Sequence, residues 1–350
     1  MRIFVDLGHP AHVHYIKNFY AIMLEKGHEF FITARDKDCN HALLRHYRIP
    51  FYSRGKGGRN LLTKGLYLLK TDIKLYRLAK KFKPDVFLSF CSPYAAHAAA
   101  LCGRKSVVLD DTEKNKFIQL LYRPFTQKIL TPDCYMQTLG EKQIKFPSYL
   151  EMLYLHPKRF TPDPGVLKEL EVDEKDKFFI LRFVSLHASH DIGNKGITLE
   201  NKIDIVNRLQ EYGKVFISAE NSIPYELSKF AFPLAPDRLH HALYYAHMLF
   251  GESATMASEA AVLGTPAIYV NTDGRGYTFE EENRYSLVSN FSDNLKDQGR
   301  AMERAIQIAS DNLYKINLQP NNERLIHDKV DLTEWLISYI EKEFELNNNV

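Results

Sequence analysis

The stretch Met248-Leu249-Phe250-Gly251-Glu252-Ser253-Ala254-Thr255-Met256-Ala257-Ser258-Glu259-Ala260-Ala261-Val262-Leu263-Gly264-Thr265-Pro266 decides how the chain is read. Three apolar residues run into Gly251, and an Ala-rich segment of helical period follows at once, with Ser253 or Thr255 placed to cap it. Gly264 and Pro266 end that helix, and a second apolar strand follows at 267–270. A strand that turns directly into a helix and then into another strand is a βαβ unit, whose parallel strands are covered on both faces. Ligands of such sheets bind beyond the carboxyl ends of the strands. At that place the free N–H groups of a helix over 255–263, with the positive end of its dipole, make a phosphate cradle. Glu259, one turn into the helix, is placed to accept hydrogen bonds from ribose hydroxyls.

Outward from this unit the same alternation continues. Residues 178–183 and 214–218 read as strands, and 200–212 and 238–246 as helices. A Pro- and Asp-rich connector, HPKRFTPDPG at 156–165, precedes them. Before it lies another array, with strands at 2–7, 29–33, 50–52, 85–89, 106–109 and 128–131. Helices at 12–26, 38–47, 61–82 and 94–102 separate most of them. Two successive βα arrays predict an α/β chain of two Rossmann-like domains with parallel sheets facing across a cleft. The expected bounds are 1–160 and 161–330, and a last helix near 332–344 followed by a polar tail (together 331–350) is able to cross back to the first domain.

A chain of 350 residues with 45% hydrophobic and 25% charged residues is too rich in core-forming side chains for disorder, and excludes a collagen-like or disulfide-stapled protein. The formal charge of +3 conceals an asymmetry: residues 1–160 hold 27 Lys and Arg against 13 Asp and Glu (+14), leaving 19 against 30 (−11) for the remainder. The four cysteines, Cys39, Cys91, Cys102 and Cys134, form no Cys-x-x-Cys pair and read as reduced thiols. The N-terminus enters a strand without the apolar core of a signal peptide, and the apolar stretch 86–103 is interrupted by Ser89, Ser92, Pro93 and His97. The expected location is cytoplasmic, with any membrane contact peripheral.

Three further loops carry chemistry. Gly8-His9-Pro10-Ala11-His12-Val13-His14 follows the first strand, where Gly8 permits close backbone approach and a helix start offers N–H groups. His12 and His14 cannot share a helix face, so they predict no metal site, whereas His12 or His9 suits a general base. Arg182 ends the strand 178–183 and is a candidate bidentate partner for a diphosphate, with Ser185, His187 and His190 just beyond it. Asp110-Asp111-Thr112-Glu113 follows the strand 106–109, where paired carboxylates suit binding an acceptor, holding a divalent ion or acid-base work by Asp110 and Glu113, or else form a helix start rich in acid. Asp237, His240 and His241 precede a buried strand and read as the border of a nucleobase or, by preference, as helix-surface residues. Arg275, between Gly274 and Gly276, reads equally as a sugar contact or a surface turn.

The segment 251–266 resembles the nucleotide-sugar-binding segment of the UDP-N-acetylglucosamine 2-epimerase and GT-B glycosyltransferase superfamily. There a small-residue turn holds the diphosphate, and a Glu before Ala-x-x-Leu-Gly-x-Pro holds the ribose. More closely, from MRIFVDLGHPAHVHY through RFVSLHASHD to this segment, the chain resembles an uncharacterised prokaryotic epimerase-like GT-B family classed as a domain of unknown function. The resemblance implies that Gly251, Ser253, Ala254 and Thr255 meet the phosphates and Glu259 the ribose of a UDP-sugar. It also implies that His187 or His190 plays the part of a His-Arg pair in the epimerases. His12 sits like the His at the helix start of peptidoglycan GlcNAc-transferases. Hydrolysing 2-epimerases carry an Asp after the preceding strand, where this chain has Ser89-Phe90-Cys91-Ser92. With that acid missing, the expected activity is sugar transfer to a polyprenyl-linked or glycan acceptor in surface polysaccharide assembly, with no cofactor or metal required. An epimerase, or a nucleotide-sugar-binding protein without catalysis, is the alternative.

Between Arg54 and Lys83 there are ten basic residues and one acid, Asp72, interleaved with Leu and Tyr. This stretch reads either as a core helix with a solvated Lys face or as a helix resting on an anionic membrane surface. No recognition-helix or stacking motif accompanies the charge, which argues against nucleic acid.

Overall fold

Runs of Val, Ile, Leu and Phe with few polar interruptions form strands that are buried on both faces. The computed structural model describes residues 1–58, 61–184, 196–219 and 223–344. The chain divides into two compact units, one of residues 1–154 together with the segment from Val330 onward, the other Leu155–Lys329.

In the first unit β1 (Arg2–Leu7), β2 (Glu29–Ala34), β3 (Tyr52–Ser53), β4 (Val86–Phe90), β5 (Lys105–Leu109), β6 (Lys128–Pro132) and β7 (Gln143–Phe146) form one sheet. Their order is β3-β2-β1-β4-β5-β6-β7, with every pair parallel. The order reverses between β1 and β4, so the loops after these two strands diverge and leave a crevice at their carboxyl ends. Phe4, Phe87, Leu75, Ala79, Ala95, Ala98 and Ala99 form a core between this sheet and the helices Leu61–Phe82 and Pro93–Leu101. The helix Leu332–Phe344 belongs to the same unit. It packs on the helix Pro10–Glu25, with Lys26 paired to Glu341 at 2.6 Å and the Thr333 hydroxyl donating to the Leu153 carbonyl at 2.7 Å.

In the second unit β8 (Phe178–Phe183), β9 (Lys214–Ala219), β10 (Met248–Gly251), β11 (Ala267–Val270) and β12 (Val288–Phe291) form a parallel sheet of order β12-β11-β10-β8-β9. Two strands, β7 and β12, are not predicted by the sequence pattern. Each is a four-residue edge strand with polar residues inside it, Gln-Ile-Lys-Phe and Val-Ser-Asn-Phe, and so lacks the apolar run of a central strand. The helix Leu295–Ser310 also went unread, although Ala301, Met302, Ala305 and Ile308 recur at helical period and are buried.

Candidate functional site

Gly251 closes β10, and Ser253 caps the helix Ala254–Val262 by accepting the Met256 N–H at 3.3 Å. A Cβ on Gly251 would lie 2.2 Å from the Arg182 carbonyl oxygen, so only glycine lets β10 run this close to β8. Ser253, Ala254 and Thr255 are partly exposed, whereas residues 256–262 are buried. The open N-terminus of the helix is thus the part that a ligand can reach, and its N–H groups and dipole favour an anion.

Glu259 is nearly buried, and its Oε1 lies 2.9 Å from Nε2 of His240. His240 is therefore not the helix-surface residue that its sequence suggests. It is a buried partner that holds the Glu259 carboxylate in one orientation. His241 does stay partly exposed, with Nδ1 accepting the Asp163 N–H at 3.0 Å. Behind the same helix, Ser258 donates to Glu281 at 2.5 Å; burial pushes the Glu281 carboxyl up to about 8.

Glu252 follows Gly251 and is buried. One carboxylate oxygen accepts the Ile197 N–H at 2.6 Å and lies 3.2 Å from Nζ of Lys202, and the other accepts the Val184 N–H at 2.8 Å. It therefore ties down both chain ends that flank residues 185–195. Burial draws the Lys202 ammonium below its usual value, against the opposing pull of Glu252. Neither residue was singled out in the sequence, because nothing local distinguishes a clamp from a solvated acid. Arg182 turns along the sheet, with Nη1 donating to the Ser218 hydroxyl at 2.9 Å. Ser185, His187 and His190 lie outside the described residues. Arg275 precedes the helix Gly276–Asn283, where its backbone N–H donates to Thr278 Oγ1 at 3.4 Å and the Thr278 hydroxyl donates to its carbonyl at 3.1 Å.

In the first unit the crevice centres on a residue the sequence reading passed over. Asp6, within β1, is fully buried and accepts from Thr33 at 2.7 Å and Ser92 at 2.5 Å. Parallel register sets Asp6 opposite Thr33 of β2 and Ser89 of β4, which brings those partners within reach. Nε of Arg54 lies 2.9 Å from Asp6, and Nη1 donates to the Tyr67 hydroxyl at 2.8 Å. Arg54 is 6% exposed, so it does not belong to the basic surface in which it was counted. A Cβ on Gly8 would come 3.4 Å from Nη2 of Arg54, so the glycine passes directly over this cation. Ser92 caps the helix Pro93–Leu101, and Cys91 before it holds φ +51, a turn strained for a residue with a Cβ.

His9 caps the helix Pro10–Glu25, its Nδ1 accepting the Ala11 N–H at 3.3 Å. Nδ1 of His12 accepts the Gly8 N–H at 3.1 Å. Burial, and then the positive neighbours His9, Arg54 and Lys37, hold the His12 ring well below the usual range, hence neutral at pH 7. A neutral imidazole that accepts at Nδ1 carries its proton on Nε2 and offers a donor there. His14 is buried among aromatic residues, its ring 5.4 Å from Tyr154.

Asp110 and Glu113 are each 1% exposed. Asp110 accepts from the Thr112 N–H at 2.8 Å, Tyr122 at 2.5 Å and Gln119 at 3.3 Å, and the helix that follows starts only at Lys116. The geometry makes Asp110 the centre of a structural network rather than an acid at a helix start or an open catalytic group.

Residues 1–276 match the model of a family described as a protein of unknown function, DUF354. The chain belongs to that family. A relative, the uncharacterized protein MJ0665 of Methanocaldococcus jannaschii, is 24% identical over 285 residues, or 77% of this chain and 81% of that protein. Among solved structures, the Neisseria meningitidis UDP-GlcNAc 2-epimerase bound to UDP-GlcNAc superposes with a TM-score of 0.71 at 13% identity, covering 98% of this chain and 100% of that one. The M. jannaschii UDP-GlcNAc 2-epimerase in complex with UDP-GlcNAc and UDP gives 0.64 at 13%, over 93% and 99%. MurG of Acinetobacter baumannii gives 0.60 at 13%, over 97% and 99%. The DUF354 chain therefore has the fold shared by these epimerases and the GT-B glycosyltransferases. No described helix is long and apolar enough to cross a membrane.

Proposed function

We propose that this DUF354 protein is a glycosyltransferase that moves a sugar from a UDP-sugar to a polyprenyl-linked or glycan acceptor in surface polysaccharide or glycoconjugate assembly. The observation that carries the reading is the open, Ser253-capped helix N-terminus with Glu259 held one turn behind it by His240. It provides preorganised donors for a diphosphate and a fixed carboxylate for ribose hydroxyls, and is supported by the fold likeness to proteins solved with UDP-GlcNAc. Arg182 and the turn 253–255 stabilise the departing diphosphate, so the scheme requires no metal. In the first unit, neutral His12 donates through Nε2 to a reacting oxygen. The base role passes to His9, whose 3.3 Å bond to the Ala11 N–H is the easier one to give up.

A 2-epimerase is the second reading, favoured by the fold likeness to those enzymes. Moving a proton at the sugar C2 calls for accessible acids, yet Asp6, Asp110 and Glu113 are buried and the stretch Ser89-Phe90-Cys91-Ser92 holds no carboxylate. The discriminating experiment incubates the protein with a UDP-sugar panel, with and without polyprenyl-phosphate acceptors, in the presence of EDTA. UDP release that depends on acceptor supports transfer. Conversion of the sugar nucleotide without acceptor supports epimerisation, and tight binding without turnover supports a binding protein. Unchanged UDP affinity in Glu259→Ala overturns the donor-site assignment.

A further inference from the structure

The helix Leu61–Phe82 buries Leu75 and Ala79 against the core and turns the opposite face outward. On that face Leu66, Leu69 and Ile73, at i, i+3 and i+7, form an exposed apolar stripe. The helix Lys116–Tyr122 likewise buries Gln119 and Tyr122 while exposing Phe117 and Leu120, with Phe125 just beyond it. These six side chains are between 41% (Phe125) and 70% (Phe117) exposed. The two sets flank one residue. His97, on the intervening helix Pro93–Leu101, meets Asp72 at 2.8 Å and the Leu121 carbonyl at 3.0 Å, and its ring centroid is 4.7 Å from that of Phe125. Large apolar side chains are not left in water in this density without a partner, since isolated ones are ordinary but a contiguous set marks an interaction surface.

The charge around them is of one sign. The three helices carry seven Lys and Arg, and their only acid is Asp72, which is turned to His97. Lys64, Lys70, Arg77, Lys80, Lys81 and Lys116 are exposed. An apolar strip edged by cations, on helices whose one carboxylate is held by His97, complements a bilayer surface, where acyl chains lie beneath anionic headgroups. It does not complement a typical protein surface, where both signs are interspersed. We propose that this face of the first unit, made by the helices Leu61–Phe82 and Lys116–Tyr122, is a docking surface for an anionic lipid bilayer, with Leu66, Leu69, Ile73, Phe117, Leu120 and Phe125 inserting at the headgroup boundary. The assignment holds whichever reaction the protein performs.

The test is co-sedimentation of the full chain with vesicles of phosphatidylcholine alone or with ~30% phosphatidylglycerol, at ~0.1 and ~0.5 M salt. Binding is expected to the anionic vesicles and to weaken at high salt. Leu69→Glu with Phe117→Glu is expected to lower the partition coefficient by roughly a hundredfold, because two apolar insertions are lost and two negative charges are introduced. Lys70→Glu with Arg77→Glu is expected to lower it at low salt by at least about tenfold and to matter little at high salt. All four positions are exposed, and unchanged circular-dichroism melting confirms that each variant folds. No binding to anionic vesicles at low salt, equal binding to both compositions, or wild-type binding by the Leu69/Phe117 variant overturns the proposal. So does a dimer in sedimentation equilibrium that Leu69→Glu with Phe117→Glu dissolves, because the face would then belong to a second copy of the chain.

Discussion

The loop after β1 and the loop after β10 open at corresponding ends of their sheets, yet they are built in opposite ways. The loop after β10 is assembled largely from its own neighbours: Gly251, the Ser253 cap and Glu259 lie within nine residues of one another. The loop after β1 rests on Asp6, Thr33, Arg54 and Ser92, four residues from four separate segments joined only by the sheet. The first is a local motif that tertiary contacts refine. The second does not exist until the strands pair. A locally encoded helix start tolerates change elsewhere in the unit, whereas a buried charge cluster fails when any one partner is lost.

The largest expected effect breaks the nonlocal side. Asp6→Asn leaves the Arg54 cation buried without its counter-ion, and is expected to destabilise by about 3–5 kcal/mol. Thermal unfolding followed by circular dichroism checks this, and a melting temperature within a degree or two of wild type would show that the cluster is not coupled to folding. A somewhat smaller effect concerns the second unit and depends on pH. The Glu281 carboxyl, raised to about 8 from an ordinary 4.5, is favoured in its protonated form by folding. Its contribution to stability is present in acid and is lost as pH rises through about 8. Glu281→Gln is therefore expected to melt like wild type near pH 5 and to be more stable above pH 8, by a few kcal/mol. A constant difference between the two proteins across this range would refute the assignment.

Two smaller changes separate ligand from scaffold. Glu259→Ala is expected to weaken UDP binding by roughly ten- to a hundredfold in calorimetry, the value of a charged hydrogen bond. His12→Ala in the other unit is expected to leave UDP affinity intact and lower turnover. If both variants lose affinity alike, the donor cradle is not confined to the second unit. The smallest effect is that of Ser253→Ala, about 1 kcal/mol of stability from the lost cap, with a modest loss of UDP affinity.

What could be read along the chain followed this same division. The parallel α/β class, most strands and the Ser253 cap rest on periodicity and capping, which act over a few residues. His240 shows where such reading stops. On sequence it is one of two adjacent histidines on a short helix, and only the packing of that helix against Ala254–Val262 turns one of them inward to Glu259 while the other stays partly exposed. Asp110 and Glu113 show the converse. A pair of acids after a strand invites a catalytic role, but burial and the bonds from Tyr122, Gln119 and the Thr112 N–H consume Asp110 in structure. Glu252 lies inside the stretch 248–266 yet carries no local signal of its role, because its partners Val184, Ile197 and Lys202 are 50 or more residues away.

By itself the amino-acid sequence determined that this chain forms two parallel βα arrays with a Ser253-capped helix start after β10, since strand runs, helix period, a cap and a glycine are properties of neighbouring residues. Tertiary structure alone decided which charges are spent inside the fold. Strand register brings Thr33 to Asp6, the turn after β4 brings Ser92, and the packing of separate segments withdraws Arg54 from the basic surface to neutralise that carboxylate. Burial in low dielectric then makes each pairing obligatory, because a lone charge there is far more costly than the same charge in water.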